Sequence, residues 1–97
     1  MKELEFEWDK RKATANVKKH GVSFEEARTA FYDESAIQFY DPDHSEQEDR
    51  FILLGLSLKP QVIVVCHCFR ESETVVRIIS ARKADKDEER AYWERRK

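Results

Sequence analysis

The sequence predicts an α+β fold: a strand and two helices, then an antiparallel sheet of four to five strands in total, closed by a C-terminal helix. Three observations carry this expectation. The chain opens on a strictly alternating apolar segment, two segments with helix-capping signals follow, and the second half is a succession of Val-, Ile- and Leu-rich runs joined by short polar links. Its 97 residues, 40% of them hydrophobic, suffice for one modest core, so one domain over residues 1–97 is expected.

Leu4-Glu5-Phe6-Glu7-Trp8 alternates apolar and acidic residues, which puts Leu4, Phe6 and Trp8 on one face of a strand. Asp9 can cap a helix running to about His20, and Gly21 suits the left-handed position that ends it. The apolar stripe of that helix is only Ala13, Val17 and His20, so most of its surface must face water or a ligand. Ser23-Phe24-Glu25-Glu26 has the capping-box pattern, and Phe24, Ala27 and Phe31 fall on the inner face of a second helix ending near Tyr32-Asp33. Ala36 to Tyr40 reads as a short strand, stopped by the turn residues Asp41-Pro42-Asp43 and followed by an acidic loop to Asp49. Phe51 to Ser57 and Val62 to Phe69 form a hairpin through Leu58-Lys59-Pro60-Gln61, and Thr74 to Ser80 is a further strand after Arg70-Glu71-Ser72-Glu73. From Asp85, which with Glu88 makes another capping box, a polar helix carries Ala84, Glu88, Ala91, Tyr92 and Arg95 along one side.

Composition excludes several classes. Charged residues are 39% of the chain against the roughly 25% usual for globular proteins, so much of the surface is charged. The longest unbroken apolar run, Val62 to Cys66, is far short of the ~20 residues of a membrane span. No secretory signal opens the sequence and there are only two cysteines, so a cytoplasmic protein with reduced thiols is expected. The net charge of −2 hides a segregation. Residues 32 to 50 hold seven acids and one base, whereas Lys10 to His20 holds five Lys and Arg and no acid. Such a split permits a basic face for a polyanion beside an acidic rim.

Cys66-His67-Cys68 invites a metal site, but on a strand the two thiols point to one face and the imidazole to the other, so no metal is expected. Thiols among valines act as small apolar residues with raised pKa. His67 shares its face with Ile63, Val65 and Phe69, where a packed neutral imidazole is tolerated, and His20 before Gly21 is favoured by the helix dipole. The arginines say more. Arg77 interrupts Val75-Val76-Arg77-Ile78-Ile79, Arg50 opens an apolar strand and Arg82 stands at a strand exit, so the sheet holds all three guanidinium groups at fixed positions. A planar fork of donors matches a phosphate and the added charge of its transition state. Taken singly, each arginine is better read as a partner of a surface acid, and only the cluster points to a phosphate.

Four ordered blocks carry a family resemblance: Phe6-Glu7-Trp8-Asp9, Lys19-His20-Gly21-Val22-Ser23-Phe24-Glu25-Glu26-Ala27, Asp43-His44-Ser45-Glu46 leading to Arg50, and Arg77-Ile78-Ile79-Ser80-Ala81-Arg82-Lys83-Ala84. From about Leu4 to Tyr92 the chain resembles BrnT-type toxins, bacterial type II toxin-antitoxin ribonucleases with a RelE-like fold. The resemblance implies an endoribonuclease that needs no metal or other cofactor and blocks translation. It also implies a BrnA-type ribbon-helix-helix antitoxin as partner, through which alone the complex would meet operator DNA. By matching positions, Arg50, Arg77, Arg82 and His67 are the expected catalytic group, with His67 for proton transfer, and Lys18, Lys19 and His20 lie near the RNA. The acidic segment Asp41 to Asp49 offers a complement to a basic antitoxin peptide. The competing reading is a non-catalytic antitoxin-binding module, a degenerate toxin kept for operon autoregulation.

Overall fold

A computed structural model describes residues 3–96; Met1, Lys2 and Lys97 lie outside the described residues. The elements are β1 (Glu5–Glu7), α1 (Lys10–His20), α2 (Phe24–Ala30), β2 (Ile37–Tyr40), a single 3-10 turn (Pro42–His44), β3 (Phe51–Leu56), β4 (Val62–Arg70), β5 (Val75–Lys83) and α3 (Lys86–Arg96). The α+β expectation holds element for element. The strands form one sheet in the order β1-β5-β4-β3-β2. Three of its four pairings are antiparallel, and β1 runs parallel to β5, Glu5 opposite Val75 and Glu7 opposite Arg77. A parallel pairing needs a long crossover, and everything between Glu7 and Val75 provides it.

The helix ends are built as the sequence indicates, with one exception. Asp9 accepts the backbone N–H groups of Arg11 and Lys12, which also draws its carboxyl below the usual range. Gly21 is left-handed (φ 71°) and returns its N–H to the Val17 carbonyl. Asp85 and Glu88 cap α3 reciprocally, but the Ser23 box is only half made: Ser23 caps α2 through the Glu26 N–H, while the Glu26 carboxylate turns away to accept from Ser57 and Gln61.

The two sheet faces differ. One lies under α1 and α2, where Val22, Phe24, Ala27 and Ala30 pack on Leu53, Ile63, Val65, Val76, Ile78 and Ala81. Gly55 permits this layer: a Cβ there would stand 3.1 Å from the Ala30 carbonyl and 3.2 Å from the Ala36 Cβ. The other face is only half covered, by α3, whose one wholly buried side chain, Tyr92, sits with Leu54, Val62 and Val64. Its hydroxyl donates to Asp33, which also accepts the N–H groups of Leu56 and Ser35.

One packing expectation needs correction. Val17 is 47% exposed and does not join the core; the buried residue of α1 is Asn16. Strand β1 covers β5 only as far as Arg77, which leaves the backbone of Ala81 without a strand neighbour on that side. Asn16 fills the gap, its amide donating to the carbonyls of Ala81 and Val22 at 2.8 Å and accepting the Ala81 N–H at 3.1 Å. A buried strand edge demands polar partners, so an asparagine fastens α1 where an aliphatic side chain could not.

Candidate active site

The register of four strands lays two rows of side chains across the half-covered face. Phe39, Ile52, Cys66 and Ser80 make one row; Ile37, Leu54, Val64 and Arg82 make the next. Helix α3 lies over the apolar part of the second row. The first row stays open, and its Ile52, Cys66 and Ser80 floor a cleft of about 360 Å³, to whose walls His20, Asp41, His44, Arg50 and Arg82 contribute. A shift of register between Cys66 and His67, opposite Ile79, keeps Ser80 and Arg82 aimed into this cleft while Ile78 turns to the core.

The acidic loop after β2 builds one wall. Its neck is closed by the Asp41 N–H donating to the Arg50 carbonyl at 2.9 Å, with Ser45 accepting the Arg50 N–H at 2.9 Å and donating to the Asp41 carbonyl. Pro42 starts the 3-10 turn that brings His44 back over Asp41. The buried Asp41 carboxylate takes Nδ1 of His44 at 2.8 Å. A carboxylate only accepts, so Nδ1 is the donor of this pair and Nε2 of His44 is left free of it. Arg50 stands one residue before β3, beside this dyad. Its Nε is buried without a hydrogen-bond partner among the described residues, and its Nη2 is 3.9 Å from Glu48.

The opposite wall is Arg82, inside β5 and not at a strand exit. Both of its terminal nitrogens donate to Glu88, at 2.8 and 2.9 Å. Glu88 raises the Arg82 pKa, and Arg82 holds the Glu88 carboxyl below the usual carboxylate range. His20 completes the cleft from the last turn of α1. On the floor, burial pushes the Cys66 thiol up against the opposing pull of Arg50; outside the cleft, burial together with Glu48 raises the buried Cys68.

Of the residues expected from the sequence, the fold thus brings Arg50, Arg82 and His20 together and sets the others apart. Arg77 lies five positions from Arg82 along β5, roughly 15 Å away in an extended strand, and donates to Glu7 at 2.8 Å. Lys18 borders a shallow groove along the outside of α1 with Lys10 and Arg11, and Lys19 is exposed beside it. His67 is on the other face. It is fully buried, with Nδ1 3.1 Å from the Val65 carbonyl and Nε2 2.9 Å from Oε1 of Gln38, ringed by Phe31, Phe51 and Phe69. Burial lowers its pKa to about 4 against the pull of the Val65 carbonyl, so at neutral pH the ring is uncharged and out of reach of the cleft. What sequence reasoning missed is the Asp41–His44 dyad; its only signal was the Asp-Pro-Asp-His spacing.

A model of the family described as "Ribonuclease toxin, BrnT, of type II toxin-antitoxin system" matches residues 8–88. The chain belongs to the BrnT family. Membership makes it a toxin of a toxin-antitoxin system and carries with it an antitoxin partner and an RNA target. The crystal structure of the Brucella abortus ribonuclease toxin, BrnT, at 1.1 Å resolution is similar in fold. Its TM-score is 0.65 at 24% identity, over 86% of this chain and 99% of that one. No curated protein sequence matches the chain. Among the described residues no helix is long and apolar enough to cross a membrane.

Proposed function

We propose that this BrnT-family chain is a single RelE-like toxin domain and an endoribonuclease that cleaves RNA without a metal ion. On this reading it inhibits translation in the cytoplasm until a BrnA-type ribbon-helix-helix antitoxin covers it, and it reaches operator DNA only through that antitoxin. The observation that carries the reading is the convergence of two imidazoles and two guanidinium groups on one cleft, with the His44 imidazole oriented by a buried carboxylate at 2.8 Å.

The steps follow from that arrangement. Nε2 of His44 takes the proton of the RNA 2′-hydroxyl, and the oxygen forms a bond to the adjacent phosphorus. Arg50 and Arg82 stabilise the charge gathered on the non-bridging oxygens, the work a metal ion does in other nucleases. The bond to the 5′-oxygen breaks, and His20 supplies the proton that this leaving oxygen needs. A 2′,3′-cyclic phosphate and a free 5′-hydroxyl result. Arg77, Lys18 and Lys19 lie outside the cleft and are assigned to the flanking RNA backbone. His67 has no step; it organises the aromatic core behind the sheet.

The test is incubation of the purified chain with RNA in the presence of a chelator, with mass spectrometry of the products. Cleavage with cyclic-phosphate ends is expected, falling about 10²–10⁴-fold with His44→Ala and about 10²–10³-fold with Arg50→Ala. RNA left intact by a chain that still binds its antitoxin would establish the degenerate-toxin alternative instead.

A further inference from the structure

Of the two cleft guanidinium groups, Arg82 is the one gripped by both oxygens of a carboxylate; Arg50 only comes within 3.9 Å of Glu48. The Glu88 carboxylate meets Arg82 fork to fork at 2.8 and 2.9 Å, the geometry in which a guanidinium also receives two phosphate oxygens. Glu88 has a second engagement, because Oε1 also accepts the Asp85 N–H at the start of α3. Helix α3 is held independently through Tyr92, which is buried against the sheet and bonded to Asp33. The Arg82–Glu88 pair can therefore open while α3 stays seated. Both partners reach water, with side chains 43% and 30% exposed, so neither has to leave a sealed core.

Resting on the ribonuclease reading above, we propose that Glu88 is a resident competitor for the substrate: RNA gains the Arg82 fork by displacing the Glu88 carboxylate, so this residue of α3 sets how tightly the toxin holds RNA. The exchange is balanced in charge, one singly negative oxygen fork for another. The freed Glu88 keeps its bond to the Asp85 N–H, which preserves the cap of α3. Arg50 has no bidentate tenant, only the looser 3.9 Å approach of Glu48 to its Nη2, so it meets the phosphate without such a displacement.

The experiment measures binding alone, using a fluorescein-labelled 2′-O-methyl oligoribonucleotide, which lacks the attacking hydroxyl, at fixed ionic strength. Glu88→Gln is expected to tighten binding roughly three- to tenfold, the reciprocal of the fraction of Arg82 left free by a part-exposed ion pair. Glu88→Asp keeps the charge but is too short for the bidentate contact, and is expected to tighten binding in the same sense. Asp87→Asn makes the same charge change as Glu88→Gln on the same helical turn; Asp87 is 92% exposed and faces Arg90, so little effect is expected. The gain from Glu88→Gln must vanish in an Arg82→Ala background. A Glu88→Gln effect no larger than that of Asp87→Asn, weaker binding on loss of Glu88, or a gain that survives Arg82→Ala would each overturn the inference. Binding that responds to Arg50→Ala but not to Glu88 sinks the inference alone, whereas no binding by any form takes the RNA-cleft reading down with it.

Discussion

Acidifying the protein probes the residue on which sequence and structure part most sharply. His67 sits at 0% exposure with ring centroids 4.8 Å from Phe31, 5.3 Å from Phe69 and 6.2 Å from Phe51. Burial lowers its pKa from 6.5 to about 4. Between those values the unfolded chain binds the proton and the folded one does not, so the stabilising contribution is complete above about pH 6.5 and is lost as pH falls toward 4. At 1.36 kcal/mol per tenfold difference in proton affinity, the loss is about 2 kcal/mol at pH 5 and about 3 kcal/mol below pH 4. That is a large share of the ~5–15 kcal/mol available to a domain. Urea unfolding at about pH 7 and about pH 5 reads it directly, with His67→Gln as the variant that cannot titrate. Wild type should lose about 2 kcal/mol more than the variant over that interval. The carboxyls of Asp33 and Glu88 have lowered pKa values and titrate below this window, so they do not contribute to the difference. Equal losses would mean that the ring is already charged in the folded protein, and the reasoning would fail. His67→Gln should also keep its RNA cleavage at neutral pH; loss of cleavage by a fully folded variant would restore the ring to the chemistry.

Four further outcomes follow from particular contacts. Arg77→Ala, which removes a cation held by Glu7 outside the cleft, should cost RNA cleavage less than tenfold while Arg50→Ala costs about 10²–10³-fold, as single-turnover rates would show. Asn16→Leu should destabilise the fold by about 1–3 kcal/mol in chemical denaturation, because it strands the buried N–H and C=O of Ala81. Gly55→Ala should cost about 1–3 kcal/mol by pushing α2 off the sheet, with the loss seen as a lower thermal midpoint. Ser72→Gly should add about 0.4–1 kcal/mol, since Ser72 holds φ 59° between two other left-handed residues, and unfolding of the two forms side by side would reveal it.

The capping residues show what was legible in the sequence. Asp9, Ser23 and the Asp85–Glu88 box are local codes, spelled within three or four positions, and each caps its helix; only the return bond of Glu26 to Ser23 fails, because Ser57 and Gln61 take that carboxylate. Strand alternation was equally readable, and it correctly sent His67 to the face of Ile63, Val65 and Phe69 and both thiols to the other. The arginines mark the limit. Arg77 and Arg82 look alike in sequence, but only the pairing of β1 with β5 reveals that Glu7 stands ready for Arg77, and only the docking of α3 brings Glu88 to Arg82. Asn16 escaped for the same reason: besides Val22 its partner is the backbone of Ala81 in β5, 65 positions away, and no periodicity records an unpaired strand edge. The Asp41–His44 contact is short in sequence and was still missed, because its meaning depends on the closed neck of the loop, which no spacing rule describes.

The placement of the cleft has a physical basis in how the second sheet face is shared. A five-stranded sheet with nine-residue central strands offers more surface than one 11-residue helix anchored by a single buried tyrosine can cover. The uncovered row must therefore carry side chains that tolerate water without opening the sheet, and Ile52, Cys66 and Ser80 are only half-buried there. Arg82 rises from β5 and Arg50 stands one residue before β3, with its backbone bonded to Asp41 and Ser45, so both guanidinium groups are held firmly, which suits the transition-state role proposed for them. His44 comes instead from a loop that is tied at its neck but leaves the imidazole 66% exposed. A group that accepts a proton and must then pass it on gains from such access, whereas a charge that stabilises gains from rigidity. Asp43, Glu46 and Glu48 of that loop lie beside the dyad, so a basic antitoxin segment drawn to them would arrive at the mouth of the same cleft. On the proposed ribonuclease reading, recognition and inhibition would then be one event, because the surface attracting the partner by charge would be the wall of the site it has to close.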